Sequence, residues 1–160
     1  RLEQVEFCKC KIVMRPKPLF VRDPERVLSH AIVSMRQIKG AQLKWMASVG
    51  MCEAAVNSGV PILQCFGLLW AALSTERIYD RDIMRRMAGH SFNPQPVTDW
   101  ARNSFSESFG ISPANQILIE DCLTEYYNKY TIQNDEQERR TWTRYECCNE
   151  SSGSSWWYSC

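Results

Sequence analysis

Between Val5 and Val13 the chain alternates. Val5, Phe7, Lys9, Lys11 and Val13 fall on one face of an extended segment, and Glu6, Cys8, Cys10 and Ile12 on the other, which predicts a strand. Neither Pro16 nor Pro18 can donate to a ladder, so pairing is expected to lapse across Met14–Pro18. Leu19–Arg22 then reads as the return strand of a two-stranded hairpin with a basic tip. From Asp23 the period becomes helical. Asp23-Pro24-Glu25 combines a capping carboxylate, a proline suited to the first turn and an acid at the positive end of the dipole. This helix is expected to reach about Lys39, with Val27, Ala31, Ser34 and Ile38 on one stripe, and to stop at Gly40. A second helix is expected over 41–57, with Gly50 inside it. A glycine there costs about 1 kcal/mol relative to alanine, so it marks close packing. The third, from Pro61 to about Ser74, is apolar nearly all round and should be central. A shorter helix is predicted from Tyr79 to Ala88, then a loop at Phe92–Pro96. A further helix runs from Thr98 or Asp99 to about Ser108, and a last one from Ser112-Pro113 to about Tyr130.

The pattern thus describes a mainly α chain that opens on a β-hairpin. It breaks at Asn134. Charged residues dominate Asp135–Arg144, Ser151–Ser155 has linker composition, and the end is aromatic at Trp156, Trp157 and Tyr158. A poorly ordered tail over 134–160 is expected. At 160 residues the chain suits one domain with a tail, and no apolar run reaches the length of a membrane span. It opens on Arg1-Leu2-Glu3-Gln4, without a secretory leader or an initiating methionine, and truncation of a longer chain is the expectation.

Charge changes this picture more than composition does. The net charge is only +1, yet residues 1–44 hold ten Lys/Arg against four Asp/Glu, and residues 45–160 hold nine against fourteen. Six cations (Lys9, Lys11, Arg15, Lys17, Arg22 and Arg26) fall within eighteen residues, with Phe7 on the expected face of Lys9 and Lys11. Cations neutralise phosphates and a ring can stack on a terminal base, which points to a local polyanion contact. The plainer reading is a core phenylalanine with lysines that keep an edge strand soluble.

The placement of the eight cysteines argues against a disulfide framework. Cys52, Cys65 and Cys122 sit in apolar helical patterns, and reduced thiols are the expectation. Cys8/Cys10 and Cys147/Cys148 lack the spacing by which two thiolates grip one zinc ion, leaving a composite zinc-bound interaction module as the weakest alternative. The two histidines, His30 and His90, have no nucleophile–acid setting, and His30 reads as a packing or surface residue. Asp80, Asp82 and Glu76, interleaved with Arg77, Arg81, Arg85 and Arg86, read as a solvated helix face. No phosphate-cradling glycine loop or metalloprotease motif occurs.

Three motifs in order carry a resemblance. They are Glu6-Phe7-Cys8 followed by Arg22-Asp23-Pro24; Trp45–Gly50 followed by Gly59-Val60-Pro61-Ile62-Leu63-Gln64; and Arg102–Phe105 followed by Phe109–Pro113, Gln116 and Glu120. Together they resemble the end of the palm and the thumb of positive-strand viral RNA-dependent RNA polymerases of the tombusvirus and nodavirus-like group, over about four-fifths of the chain. The resemblance implies a primer-grip β-hairpin at 1–22, a helical thumb at 23–133 and an unplaced tail at 134–160. It implies that Phe7, Cys8 and Lys9 hold the RNA 3′ end, and that Lys11, Arg15, Arg22 and Arg26 contact RNA phosphates or a nucleoside triphosphate. The Gly-Asp-Asp turn and its two Mg2+ ions would belong to a longer parent, so this chain carries no catalytic residue and is expected to be inactive alone. Implied partners are template and nascent RNA, nucleoside triphosphates and the missing palm and fingers. The implied setting is the host cytoplasm at replication complexes. A free-standing small helical RNA-binding or scaffolding protein is the alternative.

Overall fold

The computed structural model describes residues 3, 5–33 and 41–150, with side chains as far as residue 131. The chain divides into two compact units, Arg1–Glu125 and Tyr126–Cys160.

The first unit opens on a three-stranded antiparallel sheet in the order β1 (Glu6–Phe7), β2 (Cys10–Arg15), β3 (Lys17–Arg22). The single strand expected over 5–13 is therefore two. Phe7 pairs with Cys10, and the intervening Cys8 and Lys9 have φ of 53° and 64°. Two consecutive left-handed residues give the hairpin turn whose twist matches the flanking strands. Neither residue is glycine or asparagine, so the turn is strained. It also parts Phe7 from Lys9 and Lys11, which do not share a strand face as expected. Phe7 instead lies beside Phe20 of β3, ring centroids 6.4 Å apart.

Pairing of β2 with β3 does not lapse at the prolines. It extends through Met14↔Pro18 to Arg15↔Lys17. The reason lies in where the Met14 amide points: it donates to Ser104 Oγ at 2.8 Å, away from β3. At such a non-hydrogen-bonded position Pro18 is asked for no N–H. Two residues earlier, Ser108 Oγ donates to the Ile12 carbonyl at 2.6 Å. Beyond the short β1, hydroxyls one helical turn apart thus stand in for a neighbouring strand. Val13 and Val21 are completely buried beneath this arrangement.

The first helix, α1 (Pro24–His30), starts as expected, with Asp23 accepting from the Arg26 amide. It is shorter than expected: residues 31–32 form a turn, and the Val33 amide donates to the His30 carbonyl. The expected continuation through Ser34 and Ile38 to Gly40 lies outside the described residues. Next come α2 (Gln42–Val56) and α3 (Leu63–Ala71), the pair that forms the centre. Their crossing is set by small residues four apart on each helix, Gly50 and Ala54 on α2, Gly67 and Ala71 on α3. A methyl group on Gly67 would stand 2.8 Å from the Ala54 Cα, and one on Gly50 would stand 2.6 Å from the Trp70 carbonyl carbon. The backbones touch, as the glycine within the expected helix implied.

Entry to α3 is unusual. Ile62, fully buried, has φ 64° and ψ −58°, and the Leu63 amide closes onto the Pro61 carbonyl at 2.6 Å. This three-residue turn is a rare, strained form for a β-branched residue. It is held from outside: the Ile62 amide donates to Glu120 Oε1 at 2.8 Å, and Arg102 grips the same carboxylate at 2.8 Å.

Three helices complete the fold. α4 (Arg81–Met87) is capped by Asp80, and α5 (Asp99–Phe109) by Thr98, ending at the left-handed Gly110. α6 (Pro113–Glu150) runs well past the expected stop near Tyr130 and through the charged stretch expected to be poorly ordered. The Ser151–Ser155 linker and the aromatic end at Trp156–Tyr158 lie outside the described residues. The fold is mainly helical with one small β-hairpin sheet, as the pattern predicted.

Candidate nucleic-acid interface

The strained Cys8–Lys9 turn, the end of β3 and the exposed side of α1 converge. The Asp23 amide donates to the Lys9 carbonyl at 3.4 Å, tying the turn to the start of the helix. Between them opens a cleft of about 410 Å³ bordered by Cys8, Lys9, Arg22, Arg26, His30 and Arg86. Among the described residues no carboxylate lines it, although Asp23 and Glu25 border an adjoining groove that shares Lys9, Arg26 and His30 with it. Four formal positive charges around a solvent-open concavity suit a polyanion.

A single carboxylate organises the cleft from behind. Glu53 of α2 is fully buried. Its Oε2 accepts from Arg22 Nη2 at 2.6 Å and from Asn57 Nδ2 at 3.1 Å, and its Oε1 accepts from Arg22 Nη2 at 2.7 Å and from Arg86 Nη2. The arginines remain partly exposed, with side-chain accessibilities of 40% and 33%.

The sequence-derived residues separate into groups. Cys8, Lys9, Arg22 and Arg26 meet in this cleft. Phe7 stands on β1, 65% exposed, beside the exposed ring of Phe20 rather than lining the cleft. Lys11 is occupied: its Nζ donates to the Ser108 carbonyl at 2.9 Å and lies 5.7 Å from the centre of the Phe109 ring. Arg15 belongs to a different place. At about 3.3 Å per residue it lies about 20 Å along the hairpin from Lys9. There it lines a separate, mainly apolar cleft of about 280 Å³ with Pro16, Lys17, Gly59 and Pro96.

Arg15 has a cost attached. Its Nε is buried without a hydrogen-bond partner, and burial lowers the pKa of its guanidinium. A buried guanidinium nitrogen left without a hydrogen-bond partner destabilises a fold. Arg15→Met is therefore expected to raise the thermal midpoint by about 2–4 °C, corresponding to about 1 kcal/mol for a chain of this size. A scanning-calorimetry midpoint that drops instead would mean the guanidinium is compensated.

Sequence reasoning missed Arg86, His30 and Glu53. His30 is exposed as expected, with Nδ1 2.6 Å from Ser29 Oγ, but it borders the cleft. The expected solvated face of α4 holds for Asp82 and Arg85, an exposed pair at 3.0 Å. Arg86 leaves that face for Glu53. The available signal was the isolated glutamate among Val49, Cys52, Ala54 and Ala55, since a lone acid on an apolar stripe needs a cationic partner. Burial pushes the thiol pKa of Cys10, Cys52 and Cys65 upward, which keeps them protonated and poor nucleophiles. Among the described residues no group of three or more His, Cys, Asp or Glu side chains could hold a metal ion, and no helix is long and apolar enough to cross a membrane.

The RNA-directed RNA polymerase of turnip crinkle virus is 29% identical over 145 residues, covering 82% of this chain and 18% of that protein. That of carnation mottle virus is 28% identical over 131 residues, covering 74% and 17%. A protein of barley yellow dwarf virus (isolate PAV) is 29% identical over 143 residues, covering 82% and 16%. The chain thus spans less than one fifth of the length of these relatives. No solved structure matches. The family described as viral RNA dependent RNA polymerase matches residues 1–133, which takes in the sheet, the cleft and all of the motif-bearing helices. The chain belongs to the viral RNA-dependent RNA polymerase family.

Proposed function

We propose that the chain is the RNA-handling end of a viral RNA-directed RNA polymerase. Residues 1–22 serve as the primer-grip hairpin at the palm–thumb junction, and residues 23–133 as the thumb, followed by the 134–160 tail. The observation that carries this reading is the cleft in which Lys9, Arg22 and Arg26 converge with no carboxylate among its described lining residues. The backbone of nascent RNA near its 3′ end lies along it, with the exposed Phe7 ring available to a base edge or ribose. Arg15 reaches RNA or a triphosphate only at the distant end of the hairpin. Lys11 chiefly fixes α5 to the sheet through Ser108 and Phe109.

The chemical step belongs elsewhere in the parent. Divalent ions, Mg2+ in this reading, would activate the 3′ hydroxyl and stabilise the departing pyrophosphate. The described residues offer no ligand set for them, so no step is assigned to this chain. Partners are template and nascent RNA, nucleoside triphosphates and the parent's palm and fingers, in host cytoplasm at replication complexes. Membership of the polymerase family favours this over a free-standing RNA-binding protein.

The test is RNA binding by the 160-residue chain, followed by fluorescence anisotropy on a single-stranded oligoribonucleotide over a salt series. Binding should weaken steeply with salt. Lys9→Ala with Arg26→Ala, both at exposed positions, should lower the log–log salt slope by about 1.4, at about 0.7 per lost phosphate contact on a single strand. Affinity and slope unchanged by the double substitution would refute the assignment.

A further inference from the structure

Arg22 and Arg86 come from elements far apart in sequence, β3 and α4, yet they meet at one carboxylate. In each, only Nη2 contacts Glu53. The remaining N–H groups of both guanidiniums are left for an acceptor other than Glu53, and both residues border the open cleft. Glu53 itself is completely buried and does not line the cleft. Its orientation is fixed in turn by Asn57, whose amide also donates to the Glu53 carbonyl at 2.9 Å. This is a carboxylate that a polyanion never meets, behind two cations that it does.

We propose that Glu53 is a positioning residue that clamps Arg22 and Arg86 side by side toward the cleft, and that Arg86 is a phosphate contact contributed by α4. The inference rests on the RNA-binding reading above and adds to it a second arginine and the device that aims both. A flexible arginine loses rotamer freedom when it binds, and a clamp that fixes the guanidinium beforehand removes that cost from the binding step. The pairing has a further consequence. One negative charge held between two positive ones leaves the group with a net charge of +1, so its value to a polyanion lies in geometry as much as in charge.

Two physical accounts of Glu53 predict opposite signs. If the carboxylate merely screens the cleft, removing its charge should tighten RNA binding. If it positions the guanidiniums, removing its charge should weaken binding, because an amide accepts through one oxygen only and its NH2 repels a neighbouring guanidinium. Glu53→Gln in the 160-residue chain is the deciding variant, read by anisotropy on the single-stranded oligoribonucleotide across a salt series. Binding about fivefold weaker near 0.1 M salt is expected, with a slope lowered by about 0.7, as for one lost phosphate contact. Arg86→Ala should do the same, and Glu53→Asp, which keeps the charge, should recover part of the loss. Circular dichroism and thermal midpoints establish that each variant is folded.

Where Glu53→Gln does not fold, Arg86→Lys puts the same question. Lysine keeps the charge and loses the fork, so the clamp predicts weaker binding and simple charge predicts unchanged binding. Equal or tighter binding by folded Glu53→Gln, or an unchanged salt slope in Arg86→Ala, overturns the proposal while leaving the RNA reading intact. A wild-type chain that binds no RNA overturns both.

Discussion

Replacing Gly67 with alanine is expected to cost more than about 4 kcal/mol, a large share of the about 5–15 kcal/mol that holds a domain folded. The added methyl would meet the Ala54 backbone, with its Cα at 2.8 Å. Backbone cannot rotate aside as a long side chain does, so α2 and α3 would have to separate. That separation opens the apolar centre around Val49, Cys52, Phe66 and Trp70. Gly50→Ala should behave alike, since it faces the Trp70–Ala71 backbone in the reciprocal arrangement. Because both substitutions strain one crossing, their combination should cost less than the sum. Gly89→Ala provides the control. That glycine adopts φ 80° and nothing stands within 4 Å of a Cβ there, so only the modest strain of a left-handed alanine applies. Urea melts followed by circular dichroism would check all three, and a Gly67→Ala midpoint near wild type would mean the helices are not in backbone contact.

The second large effect is expected at Glu120. Its carboxylate serves two demanding groups, the amide of strained Ile62 and the Arg102 guanidinium. Glu120→Ala removes the acceptor from both. Breaking a well-buried ion pair costs about 3–5 kcal/mol, but Arg102 and Glu120 are 18% and 17% exposed, and solvent screening lowers the figure to about 2–3 kcal/mol. Glu120→Gln keeps a carbonyl oxygen for the Ile62 amide and should lose only about half of that. A denaturant series on both variants separates the roles. Equal losses would assign the stability to the charge and none to the turn at Ile62.

How much of this was readable in the sequence differs from element to element, for physical reasons. Helix beginnings at Asp23-Pro24, Thr98 and Ser112-Pro113 were legible because a capping side chain is a local interaction, complete within four residues. Gly50 announced its close approach because nothing else justifies a glycine inside an apolar helix. The Cys8–Lys9 turn was not legible. Neither residue favours a left-handed backbone, and alternation on both sides disguised the break as a continuous strand. Pro18 misled for the opposite reason. A proline's missing donor matters only where the ladder needs one, and the direction of the Met14 amide was set by Ser104, some 90 residues away. The basic half of the cleft could be read from the density of lysine and arginine near the start. Arg86 could not, because its neighbours Asp82 and Arg85 form the surface pair that such a pattern normally signifies. Only the three-dimensional fold brings Arg86 against a carboxylate 33 residues earlier.

The two serines of α5 have one more consequence. An exposed strand edge invites extended peptides, including other copies of the same chain, to pair with it. Beyond β1, the outward carbonyl of Ile12 and the outward amide of Met14 are already engaged by Ser108 and Ser104. Strand addition there would first have to peel a helix away. Exchanging both serines for alanine would leave that carbonyl and that amide unpartnered beneath a helix that still covers them, so the edge would stay shut while the helix sat on it less firmly.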